Sequence, residues 1–93
     1  MLIGSLEVIL AVPWVQSLKE KRMIVRSLVA KIRHKFNVSV HEVDEMDIHQ
    51  TIVLGITSGS NSQLQLQTVF DHVLNFIESN YDLNIDDVTI EFY

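Results

Sequence analysis

Hydrophobic residues alternate along the chain from Leu6 to Val12. Leu6, Val8, Leu10 and Val12 share one side, and Glu7, Ile9 and Ala11 share the other. A period of two predicts a half-buried strand. Pro13 ends it, because proline offers no N–H to a ladder. The period then changes: Leu18, Val25, Leu28, Val29, Ile32 and Phe36 fall in one sector of a helical wheel, the stripe of a helix laid on a core. Ser17-Leu18-Lys19-Glu20 has the form of a capping box, in which the Ser17 hydroxyl accepts from the third helical amide and Glu20 reaches back to the Ser17 amide. Asn37 reads as the helix stop. Val38 to Val43 alternates again and is β-branched, which predicts a second strand. Asp44-Glu45-Met46-Asp47 reads as a hairpin connection. Ile52, Leu54 and Ile56 alternate with Thr51, Val53 and Gly55 in a third strand. Ser58-Gly59-Ser60-Asn61 reads as a break, and Ser60 with Gln63 as a second capping box. Leu66, Val69, Phe70, Val73, Leu74 and Ile77 stripe a second helix, which Asn80-Tyr81-Asp82 closes. Val88, Ile90 and Phe92 alternate with Asp87, Thr89 and Glu91 in a last strand.

The order β-α-β-β-α-β predicts one α+β domain of the ferredoxin-like kind across residues 1–93. Right-handed crossovers put both helices on one face of a four-stranded antiparallel sheet. The other face is left bare and mixed in character, with Ile9, Val43 and Val53 among its apolar members, beside Ala11 and Tyr93. Ile9, Val43 and Val53 are the candidate contacts of a homodimer or of a protein-interaction surface.

Composition narrows the classes. Apolar residues are 47% of the chain and charged residues 20%, a globular balance. The chain has no cysteine, which excludes disulfides, thiolate metal sites and thiol nucleophiles. The apolar start, Met1 to Trp14, lacks a basic leader and a small-residue cleavage site, and Glu7 interrupts it. It is also shorter than the roughly 20 residues of a membrane span. A cytoplasmic location is therefore expected.

The formal charge of −5 conceals an uneven layout. All seven basic side chains lie between Lys19 and Lys35, with Glu20 the one acid among them. From Phe36 to Tyr93 there are ten acids and no Lys or Arg. Lys19, Arg22, Arg26 and Arg33 cluster on one flank of the first helix, and Lys31 and Lys35 fall on the other. Cations spaced three and four apart along a helix suit a row of phosphates, and arginine can grip a phosphate with two parallel bonds. The plain alternative is a solvated helix face that shields the core edge and pairs with the acidic remainder.

The runs Ser17-Leu18-Lys19-Glu20-Lys21-Arg22, Val25-Arg26-Ser27-Leu28, Phe36-Asn37-Val38-Ser39-Val40 and Glu42-Val43-Asp44 resemble the YlxP-like family of small bacterial proteins, across essentially the whole chain. Gly55 after an apolar strand also fits. The resemblance implies a ferredoxin-like fold and supplies no catalytic residues. Family members are often encoded near translation initiation factor two and ribosome-binding factor A, which implies ribosomal RNA or a ribosomal subunit as partner. Relatives are expected to carry small residues after the strand-ending proline, so Trp14 departs from the pattern.

Other constellations carry less. An RNA-recognition sheet has stacking aromatics on its central strands, whereas Glu7, Ile9, Val53 and Thr57 stand there, so RNA contact is expected at the helix. His41, Asp44, Glu45, Asp47 and His49 are ligand types, but their spacing is irregular and the acids suit an edge that repels pairing. His34 and His72 read as surface residues. Ser58-Gly59-Ser60 precedes a helix, as anion loops do, but lacks the phosphate-loop pattern. No catalytic set emerges. The reading is a non-enzymatic binding module with no metal, cofactor or small-molecule substrate.

Overall fold

The computed structural model describes residues 1–80 and 83–93. Strand β1 (Leu2–Ala11) leads into helix α1 (Leu18–Lys35), followed by β2 (Ser39–Asp44), β3 (Thr51–Ser60), helix α2 (Gln63–Asn80) and β4 (Asn84–Phe92). The strands form one antiparallel sheet in the order β2-β3-β1-β4, the ferredoxin-like α+β arrangement. No helix of the described residues is long and apolar enough to cross a membrane.

The alternation of β1 sets the core. Leu6, Val8 and Leu10 point to the helix side and are fully buried, opposite Ile56, Leu54 and Ile52 of β3. Val25, Leu28 and Ile32 of α1 and Leu66, Phe70, Val73 and Ile77 of α2 close over them. Each such side chain stabilises the fold by about 1.5–3 kcal/mol relative to exposure. Val29 and Leu74, on the same stripes, are only partly buried because they lie at the stripe edges.

Several element limits differ from the sequence expectation, three of them at positions with a clear physical cause. β1 begins at Leu2, not Leu6, and Gly4 is buried within it. A Cβ on Gly4 would come within 2.8 Å of Phe70 Cε2, so the ring fills the space that a side chain would take. β3 continues through Ser58-Gly59-Ser60, which reads as a break in isolation, because Leu2, Ile3 and Gly4 pair with those residues. The second helix is capped by Ser62, whose Oγ accepts from Gln65 N at 3.3 Å, whereas Ser60 Oγ accepts from Ser62 N at 3.1 Å. Of the closing residues expected after α2, Tyr81 and Asp82 lie outside the described residues.

The bare face holds Ile9, Glu7, Thr89 and Glu91, as the alternation requires. Val53 is a correction. It lies on this face opposite Ile9 but is only 3% exposed. The β2–β3 register shifts between Glu42 and Asp44, and Val43 leans over Gly55, its Cγ1 2.7 Å from where a Cβ would stand. The face is therefore partly covered by its own edge strand. Val43, Ile3 and, opposite Ile3, Tyr93 are exposed large side chains of this face, and Ile9 is half-buried.

Candidate nucleic-acid interface

Helix α1 starts where its first amides find partners. The Ser17 hydroxyl accepts from Glu20 N at 3.1 Å. The Glu20 carboxylate reaches back one residue further than a capping box prescribes, accepting from Gln16 N at 3.3 Å. The helix ends at Phe36, whose extended backbone leaves the helical region while its amide still donates to Ile32 O. Arg33, His34 and Lys35 occupy the last turn, where the helix dipole favours cations.

The exposed basic side chains on one flank of α1 divide into two populations. Lys19, Arg22 and Arg26 are exposed, and among the described residues no ion pair engages them. They fall within an arc of about 60° on the helix surface, and Arg22 and Arg26 stand one turn apart, with Cβ atoms separated by about 5–6 Å. Arg33 shares their flank and is exposed, but its Nη2 donates to Val40 O at 2.6 Å, tying the helix end to β2.

Lys21 belongs to neither group of surface cations. It is 1% exposed. Its Nζ donates to Glu45 O at 2.6 Å and to Ile48 O at 2.7 Å, and lies 3.0 Å from Glu42 Oε2. That carboxylate oxygen is off the hydrogen-bond direction and accepts no aligned bond, so the third contact is Coulombic. The sequence carried a signal for this: on the wheel Lys21 falls between Leu28 and Ile32, inside the apolar stripe. Lys21 is placed on neither basic flank in the sequence reading and is given no role there. Two of the runs that mark the YlxP-like resemblance, the lysine-rich helix start and Glu42-Val43-Asp44, thus meet in one buried pair.

The lysine organises the loops beside the start of α1. Glu45 takes a left-handed backbone (φ 54°) and its amide donates to Asp44 Oδ1 at 2.8 Å. Ile48 N donates to Glu45 O, which together with Ile48 O faces Lys21. Gln50 Nε2 donates to Pro13 O at 3.1 Å and Val15 O at 3.4 Å, and Val12 N donates to Gln50 O at 2.9 Å. The segment entering α1 is therefore held to the β2–β3 connection, which fixes the helix start and with it Lys19 and Arg22.

The remaining candidates separate. His41 Nε2 lies 3.0 Å from Ser39 Oγ on the bare face, and Asp44 is engaged with the Glu45 amide. Among the described residues no group of three or more His, Asp or Glu side chains could hold a metal ion. His34 and His72 are exposed, and both border the groove between the helices. The Ser58–Asn61 stretch borders a separate hollow of about 320 Å³. Ile9, Val43 and Val53 lie together on the sheet face, with Val53 buried beneath the surface it was expected to form.

Comparison with known proteins bears on the family and the fold. A family model described as "Protein of unknown function (DUF503)" matches residues 3–90. The "Uncharacterized protein YlxP" of Bacillus subtilis (strain 168) is 38% identical over 63 residues, 68% of each chain. The crystal structure of PA3566 from Pseudomonas aeruginosa matches with a TM-score of 0.51 at 21% identity, covering 99% of this chain and 91% of that one. At that identity the likeness bears on the fold alone.

Proposed function

The chain belongs to the DUF503 family of proteins of unknown function, and we propose that it is a non-catalytic RNA-binding module whose working surface is the exposed flank of α1. One observation carries this reading. Lys19, Arg22 and Arg26 stand together on a rigidly capped helix, exposed and without an ion pair among the described residues, in a chain whose acids lie almost wholly elsewhere. Surface cations that served only to balance the acidic remainder would be found beside carboxylates. Ribosomal RNA is the partner on which to test it.

Each neutralised phosphate on a single strand contributes about −0.7 to the slope of log affinity against log salt. Three contacts give a slope of about −2. Arg33, with one arm on Val40, adds less than a free arginine would. The test is binding of ribosomal RNA fragments over a salt series by the wild type and by the Arg22→Glu/Arg26→Glu variant. The reversal should weaken binding strongly and flatten the slope, with little loss of stability, because exposed charges contribute little to folding. Equal affinity and equal slope for both proteins would remove this reading.

A second reading, a homodimer through the bare sheet face, draws support from Ile3 and Val43, which are 44% and 46% exposed there. Glu7, Asp87 and Glu91 share that face and would be brought near their copies by a two-fold axis. Because Val53 is buried, a charge placed there would test folding and not association. The probe of this surface is Val43→Glu.

A further inference from the structure

The central strands carry no stacking aromatics on the bare face, where Tyr93 stands only at the far end of the edge pairing, but the helix side does carry them. Phe36, at the end of α1, and Phe76, on α2, meet edge to face with centroids 5.7 Å apart and planes at 80°. Phe76 and Lys35 border two adjoining hollows of about 370 and 410 Å³, and Phe36 lines the first of them. The rim carries Lys31, His34, Lys35 and His72, and among the described residues no acid lines either hollow. The Lys35 ammonium lies 4.9 Å from the Phe76 centroid and 6.0 Å from that of Phe36.

We propose that this groove is a nucleotide-unit site: a base stacks on Phe76 and its phosphate is held by the lysines of the α1 rim. The charge of the rim selects an anion, and the aromatic floor selects one with a flat apolar body. A nucleotide joins both features, and hollows of this size fall in the range of small-ligand pockets. Lys35 now rests its ammonium against the ring. A cation–π contact at an exposed site is weak, so a base displaces it readily, and the released ammonium reaches the phosphate that arrives with the base. Lys31 and Lys35 belong to the helix that carries Lys19, Arg22 and Arg26. Residues 22 and 35 are separated by about 20 Å along the axis. A single strand lying across α1 can contact the arginines with its phosphates and place one base in the groove. In this form the inference rests on the RNA reading; a free mononucleotide supplies the same chemistry without it.

The experiment titrates the intact protein with three probes: a single-stranded RNA of about ten nucleotides, an abasic strand of the same length, and adenosine monophosphate. Affinity is read by fluorescence anisotropy, and the Phe36 and Phe76 ring signals by NMR. The base-bearing strand should bind roughly tenfold or more tightly than the abasic one, as stacking of one base supports, and should shift both rings. Phe76→Leu, which keeps apolar volume but removes the ring, should bring that ratio close to one while the salt slope stays unchanged. Lys35→Gln should keep the ring shifts and weaken the mononucleotide. If base-bearing and abasic strands bind equally to the wild type, the groove proposal fails while the α1 reading stands. If neither strand binds but the mononucleotide shifts the rings, the groove proposal holds and the RNA reading fails. If no probe moves the rings, the proposal is overturned.

Discussion

Lys21 carries its ammonium into the molecule on a long apolar stem, and its three contacts differ in what they require. The two carbonyls of Glu45 and Ile48 need a donor, whereas Glu42 needs a charge. Lys21→Met keeps the stem and removes both. It should destabilise the fold by about 3 kcal/mol, since removing one partner of a buried pair leaves the other charge uncompensated. Adding Glu42→Leu should recover only part of that loss, because the carbonyls still lack their donor. Urea denaturation of the two variants checks this, and full recovery would show that the loop carbonyls contribute nothing. Two glycines make a contrast of the same kind. Gly4→Ala drives a methyl into Phe70, which is fully buried and cannot yield, and should cost about 1–3 kcal/mol. Gly55→Ala meets Val43, which is 46% exposed and can turn away, so its cost should be clearly smaller. At the chain end, the Tyr93 hydroxyl donates to Glu91, and this bond, together with the nearby negative charge, raises the phenol above its ordinary value of 10.0. The folded-state value exceeds the unfolded one, so the contact is fully present below pH 10 and is lost as pH climbs through the raised value. Glu91→Gln should lower the Tyr93 titration midpoint followed by NMR.

At the scale of elements, α1 shows what a periodic pattern conveys and what it omits. Its stripe, its cap and the exposure of Lys19, Arg22 and Arg26 follow from residue spacing within one helix. Lys21 and Arg33 do not, because their roles depend on carbonyls supplied by the β2–β3 connection and by β2. The extension of β3 through Ser58-Gly59-Ser60 was illegible for a related reason. Local composition favours a turn there, and pairing with Leu2 to Gly4 overrides it. Val53 obeys its alternation and lies on the bare face as expected, but the register shift that brings Val43 over that face has no local signature. The helix-side groove was missed because Phe36 and Phe76 are 40 residues apart and each reads as part of its own helix. The family resemblance and the antiparallel α+β architecture needed no such long-range knowledge, since both rest on runs and periods.

At the scale of the whole molecule, charge is divided by side. The exposed cations Lys19, Arg22 and Arg26 lie along α1, while Glu7, Asp87 and Glu91 lie on the opposite sheet face. Salt should therefore act in opposite directions on the two candidate associations. RNA binding through α1 weakens as salt rises, because counterion release loses its advantage. Self-association through the sheet face strengthens, because screening relieves like-charge repulsion. Sedimentation velocity at low and high salt checks the second. A dimer that is tight at low salt and loosens as salt rises would place the interface elsewhere than the bare face.

The bond from Ile48 N to Glu45 O sits in a hairpin connection, where amides ordinarily exchange through local fraying. Here opening that turn means withdrawing two carbonyls from Lys21, and with it the pair to Glu42 and the hold of Gln50 on the segment before α1. The Ile48 amide should consequently exchange with deuterium only when the core opens, at a free energy matching global unfolding. In Lys21→Met it should exchange at a far lower free energy, while amides of the central strand β1, such as that of Val8, continue to report the global event.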